Sequence, residues 1–166
     1  MTNPFESLFK DGKRTILVAD DEFINREILS EMLKDEYDIL FAEDGEQAYE
    51  IIKSNSKTIS LILLDLIMPK MGGLELLSAI KNRDEFSGIP VIVLTTDQES
   101  EIVSLNTGAS DFLPKPYPRS GVVKARIRRA IEHSEDRKII SDTQNDIITG
   151  LYNGDYFYEY SEIFDK

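Results

Sequence analysis

Apolar residues fall into short dense runs separated by stretches of helical spacing. TILVA at 15–19, ISLILL at 59–64 and PVIVL at 90–94 are apolar without alternation, as strands buried on both faces are. YDILF at 37–41 alternates, and DFLP at 111–114 is a weaker, shorter run. Between them, Ile24, Ile28, Leu29, Met32 and Leu33 form one helical stripe, and Ala48, Ile51 and Ile52 a second. Leu74, Leu76, Leu77 and Ile80 form a third, and Ile102, Val103 and Leu105 a fourth. A last helix starts near Pro118, with Val122, Val123, Ile127, Ala130 and Ile131 on its inner side. Strand and helix thus alternate five times. That order predicts an α/β fold: a doubly wound, five-stranded parallel sheet with helices on both faces and a C-terminal helical extension. In such sheets the working crevice lies outside the carboxyl ends of the strands.

Beyond residue 131 the pattern turns polar, and Ile139 and Ile140 are the one apolar pair up to residue 145. A heptad carried on from Val123 fills its inner positions with Ser134, Arg137, Ser141 and Gln144, so the spacing predicts a helical linker and no autonomous coiled coil. The expected division is an N-terminal extension at 1–13, a domain at 14–133, the linker at 134–145 and a further segment at 146–166. With 166 residues, 41% hydrophobic and 30% charged, the chain suits one globular domain with an appendage. It has no cysteine, so neither disulfides nor a thiolate metal site are available. No run is long enough to cross a membrane and the N-terminus lacks a signal-peptide pattern, so a soluble, cytoplasmic protein is expected, without membrane association. The net charge of −12 speaks against direct nucleic-acid binding. The exception is 119–131, with five bases (Arg119, Lys124, Arg126, Arg128, Arg129) and no acid, which reads as a solvated helix face.

The chemistry sits where the strands end. Asp20 and Asp21 follow the first strand and Asp65 the third, so three carboxylates are expected in one pocket. Such crowding is costly unless a cation neutralises it. Hard oxygen ligands, few in number and completed by water and phosphate oxygens, suit Mg²⁺. Either Asp20 or Asp21 taken singly reads better as an N-cap of the helix near Phe23, and only together with Asp65 do they read as a metal site. Thr95 and Thr96 follow the fourth strand, and Lys115-Pro116 the fifth. A hydroxyl and an ammonium there would bind the oxygens of a phosphoryl group on Asp65, the fixed charge that phosphoryl transfer needs. His133, the one histidine, falls on the last helix away from this pocket and reads as solvated.

Residues 14–133 resemble a receiver domain of the two-component response regulators (CheY-like). The resemblance rests on ILVADDE at 16–22, LILLDLIMPKMGG at 61–73, VIVLTT at 91–96 and GASDFLPKP at 108–116. It implies that Asp65 is the phosphoacceptor, fed by a sensor histidine kinase or phosphotransfer protein. It implies Mg²⁺ held by Asp20, Asp21, Asp65 and the backbone carbonyl of Ile67, with Asp21 the more direct ligand of the acid pair. Thr95 and Lys115 match the phosphoryl-binding hydroxyl and lysine, Thr95 and Phe112 the switch pair, and the Lys115–Pro116 bond is expected to be cis. Phosphorylation would then alter the face made by the fourth helix, fifth strand and fifth helix, which would control an attached output domain and could form a homodimer. The role is that of a signalling phosphoacceptor and not an enzyme. The chain departs from the family in four places. Thr95 to Lys115 is two residues shorter than usual, Thr96 stands where a small residue is common, Phe23 replaces a frequent proline and Gly72 a frequent aspartate.

DIITGLYNGDYF at 146–157 resembles the opening of a GGDEF (diguanylate cyclase-type) domain, and its catalytic signature does not follow within the chain. The expectation is a receiver joined to the truncated start of an output domain of cyclic-di-GMP signalling. The aromatics Tyr152, Tyr156, Phe157, Tyr158, Tyr160 and Phe164 would seek burial. Among rivals, an FMN-binding protein of the same layered fold needs a phosphate-cradling loop where Asp20-Asp21-Glu22 stand. A dinucleotide-binding domain lacks G-x-G-x-x-G. A phosphorylation-independent interaction module is the remaining alternative, and the intact set of Asp20, Asp21, Asp65, Thr95 and Lys115 argues against it.

Overall fold

A computed structural model describes the backbone of residues 13–151 and the side chains of residues 13–137. The chain runs β1 (Arg14–Ala19), α1 (Phe23–Leu33), β2 (Tyr37–Ala42), α2 (Gly45–Asn55) and β3 (Ile59–Asp65). It continues through α3 (Gly73–Lys81), β4 (Val91–Thr95), α4 (Gln98–Thr107), β5 (Asp111–Pro114) and α5 (Ser120–Leu151). Every strand pairing is parallel, in the order β2-β1-β3-β4-β5. The doubly wound five-stranded sheet expected from the alternation is therefore the fold. The chain divides into two compact units, with the boundary between Glu132 and His133. The second half of α5 belongs to the later unit, and includes Asp146–Leu151 of the expected output segment. The N-terminal extension up to residue 12 and the aromatics from Tyr152 onward lie outside the described residues.

The central strands β1, β3 and β4 are buried on both faces, which is why their runs are apolar without alternation. One core lies between the sheet and α2 and α3, built on Leu17, Ile62, Leu64, Val93, Leu76 and Ile80. The other, with Val18, Leu63 and Leu94, receives Leu29 and Leu33 of α1 and Val123 and Ile127 of α5.

Three expected stripes are corrected. On α1 the inner face is Arg26, Leu29 and Leu33, while Ile24 and Ile28 are exposed. On α4 the one buried residue is Ser104, whereas Ile102, Val103 and Leu105 are all exposed. At helical spacing all three fall about 100° or more from Ser104, on the arc turned away from the sheet. On α5, Val122 is exposed and the remaining stripe is buried.

The loop after β3 is fixed by a close approach. The Gly73 N–H donates to the Leu66 carbonyl at 3.0 Å, and a Cβ on Gly73 would stand 2.3 Å from the Asp65 carbonyl oxygen. Only glycine lets α3 start directly against the peptide that follows Asp65.

Candidate functional site

Parallel pairing brings the carboxyl ends of β1, β3, β4 and β5 to one edge, and the polar residues that follow them meet there. Asp20, Asp21 and Asp65 each offer a carboxylate oxygen within 4.8 Å of the others. Asp20 is 0% exposed and its bonds are largely taken by the protein. Its Oδ1 accepts the Glu22 N–H at 2.9 Å, and its Oδ2 faces the Lys115 Nζ at 3.0 Å. Asp21 is exposed. Neither aspartate caps α1: Glu22 holds that position, without a side-chain cap bond.

Asp65 ends β3 and is buried. Its Oδ1 lies 3.4 Å from the Lys115 Nζ and accepts the Ile67 N–H at 3.4 Å. Burial, then the charge of Asp20, push its carboxyl up to about 6, against the pull of Lys115 and the Ile67 N–H. Burial draws the Lys115 ammonium down, but its hydrogen bond to Asp20 and the charge of Asp65 leave it above its ordinary value. A single protonated lysine thus bridges the two buried acids. The Lys115–Pro116 peptide bond is cis.

Thr95 is buried at the end of β4, and its hydroxyl is bound to its own loop. Oγ1 accepts the Asp97 N–H at 3.1 Å and donates to the Asp97 carbonyl at 3.3 Å. Asp97 caps α4, its carboxylate accepting the Glu99 N–H. Phe112 lies half-buried on β5, and Thr96 is exposed. Ile67 is 80% exposed beside the pocket. His133 is exposed on α5.

Two residues of the site were not legible as such. Arg26 is buried and donates from Nη1 to the Asp20 carbonyl at 2.7 Å, with Nη2 3.6 Å from Glu43. It occupies the position three residues before Leu29 on the inner face of α1, so periodicity carried the signal but its charge concealed it. The Tyr117 hydroxyl is buried without a hydrogen-bond partner, and burial followed by the charges of Asp20 and Asp65 raises its pKa.

Comparison with known proteins decides what this pocket belongs to. Residues 16–127 match the response regulator receiver domain family. The chain belongs to that family. The response regulator GtcR of Aneurinibacillus migulanus is 35% identical over 83% of the chain and 57% of its own length. A probable cyclic di-GMP phosphodiesterase of Vibrio cholerae is 34% identical over 81% of the chain, which spans 30% of that relative. A response regulator receiver domain structure from Clostridium thermocellum matches with a TM-score of 0.67 at 28% identity, over 74% of this chain and 97% of that one. The receiver domain thus spans about half or less of these curated relatives. Receiver domains are signalling phosphoacceptors that work with histidine kinases and output domains, and they bind Mg²⁺ at the acidic pocket. Among the described residues no helix is long and apolar enough to cross a membrane.

Proposed function

We propose that this receiver domain accepts a phosphoryl group on Asp65 from a sensor histidine kinase or phosphotransfer protein in the cytoplasm, and so controls an attached output domain. The observation that carries the reading is the convergence of Asp20, Asp21 and Asp65 within 4.8 Å, with the Lys115 ammonium against two of them. The donor set is all hard oxygen and suits Mg²⁺, which Asp21, Asp65, Asp20 and the Ile67 carbonyl would hold. The exposed Asp21 is the acid freest to bind directly, since Asp20 is already bonded to Glu22 and Lys115. Bound there, Mg²⁺ supplies charge that offsets the carboxylates and the incoming phosphoryl oxygens.

Asp65 is the nucleophile. One of its carboxylate oxygens forms the new bond to phosphorus as the bond from phosphorus to the donor's imidazole nitrogen breaks. Lys115, already 3.4 Å from Asp65, pairs with a phosphoryl oxygen. Thr95 binds another by leaving Asp97. Because Asp97 caps α4, this exchange acts directly on the start of that helix. Phe112 then takes up the space Thr95 vacates, and the face of α4, β5 and α5 changes. Exposed Ile102, Val103 and Leu105 of α4 and Val122 of α5 give that face an apolar surface for a second copy or the output domain.

The boundaries 14–133 for the receiver, 134–145 for the linker and 146–166 for the start of a GGDEF-like domain are part of the proposal. The motif at 146–157 and the phosphodiesterase named among the relatives support a place in cyclic-di-GMP signalling. The test is incubation with Mg²⁺ and a small-molecule phosphodonor, read by mass. The parent gains one phosphoryl group and Asp65→Asn gains none. A parent that never reacts, or an Asp65→Asn that reacts equally, overturns the reading.

A further inference from the structure

β5 is an edge strand, paired with β4 alone. The Lys115 N–H donates to the Thr95 carbonyl at 2.9 Å, an alternation that turns the odd-numbered residues of β5 toward β4. The peptide groups of Phe112 therefore face the open edge, and side chains satisfy both. Its N–H donates to Oδ1 of Asp111 at 2.8 Å, and its carbonyl accepts Nη1 of Arg126 at 2.6 Å. Leu113 points into the core beneath α5, so the pleat sends the Phe112 ring to the opposite face. Arg126, on α5, reaches round the edge and sets its guanidinium 5.7 Å from the centre of that ring.

We infer that Arg126 is a latch on the switch aromatic: it holds the Phe112 ring in its half-exposed position and so opposes the phosphorylated state. This rests on the proposed role of Phe112. Arg126 makes two contacts with the same residue, and they differ in what they do to the equilibrium. The bond to the Phe112 carbonyl belongs to the backbone of β5 and persists when the ring turns, so it biases neither state. The contact with the ring exists only while the ring stays outward, so it alone is differential. An exposed cation–π contact shifts a two-state equilibrium by roughly two- to fivefold. By linkage, removing it strengthens the binding of anything that favours the turned-in state by that factor.

The full chain is titrated with beryllofluoride, a stand-in for the phosphoryl group on Asp65, at fixed Mg²⁺ by calorimetry. Arg126→Gln keeps a donor for the Phe112 carbonyl but loses the cation over the ring. It is expected to bind roughly two- to fivefold more tightly than the parent. In a Phe112→Leu background the same substitution changes nothing, because there is no ring to hold. Arg126→Met serves the same comparison should the glutamine variant not fold. Binding no tighter than the parent, or equal tightening in the leucine background, overturns the latch. A parent that binds no beryllofluoride overturns instead the assignment of Asp65, so the two failures are distinguishable.

Discussion

At Asp65 two opposed influences meet. Burial and the charge of Asp20 raise its carboxyl to about 6, while Lys115 and the Ile67 N–H hold it from rising further. The folded state therefore binds this proton more tightly than an unfolded chain, whose aspartate titrates at 3.8. As far as Asp65 is concerned, the metal-free fold loses stability as pH rises from the ordinary carboxylate range through about 6. Cation binding has the opposite dependence, because it needs the ionised acid. Mg²⁺ affinity, followed by calorimetry across pH 5 to 8, is expected to be flat at the upper end. Below about 6 it should weaken by about tenfold per pH unit. An affinity that does not change across this window would show that Asp65 is not a ligand. Each acid of the pocket was legible in the sequence, because a strand end is a fixed address in a parallel sheet. The shift at Asp65 was not, since it depends on how close Asp20 comes and how little water remains.

The helices differ in what their apolar residues do. On α3, Leu76, Leu77 and Ile80 are fully buried, whereas on α4 Ile102, Val103 and Leu105 face outward. Leu77→Ala is expected to cost about 2–5 kcal/mol, the usual range for emptying a core site. Ile102→Ser should change stability by less than about 0.5 kcal/mol, as surface substitutions do. Urea denaturation of the two variants separates these outcomes. The same Ile102→Ser change should weaken self-association of the phosphorylated chain in sedimentation if α4 lies at the proposed face. Equal destabilisation by both variants would mean that α4 packs its apolar side inward after all. The sequence pattern named a stripe on both helices. On α4 it could not say which arc of the helix the sheet covers.

Across the molecule, both cores and all residues of the pocket lie before Glu132, within the first of the two compact units. A chain ending at Glu132 is expected to accept a phosphoryl group from a small donor at a rate within about twofold of the full chain, and to melt within about 4 °C of it. Mass measurement over time and thermal denaturation check both. A truncated chain that is unfolded, or that no longer reacts, would place part of the switch in the later segment.

By itself the sequence determined the layered parallel sheet, because continuous apolar runs alternating with helical spacing allow few other arrangements. It likewise determined the three acids, the threonine and the lysine, because each follows directly on a strand. Tertiary structure decided what local pattern cannot encode: that Arg26 lies buried under Asp20, that Lys115 bridges two acids, and that Arg126 reaches round an open strand edge to the Phe112 ring. Each of these joins residues from different elements through long side chains. Which partner such a side chain finds is settled only when the sheet order and the helix faces are in place.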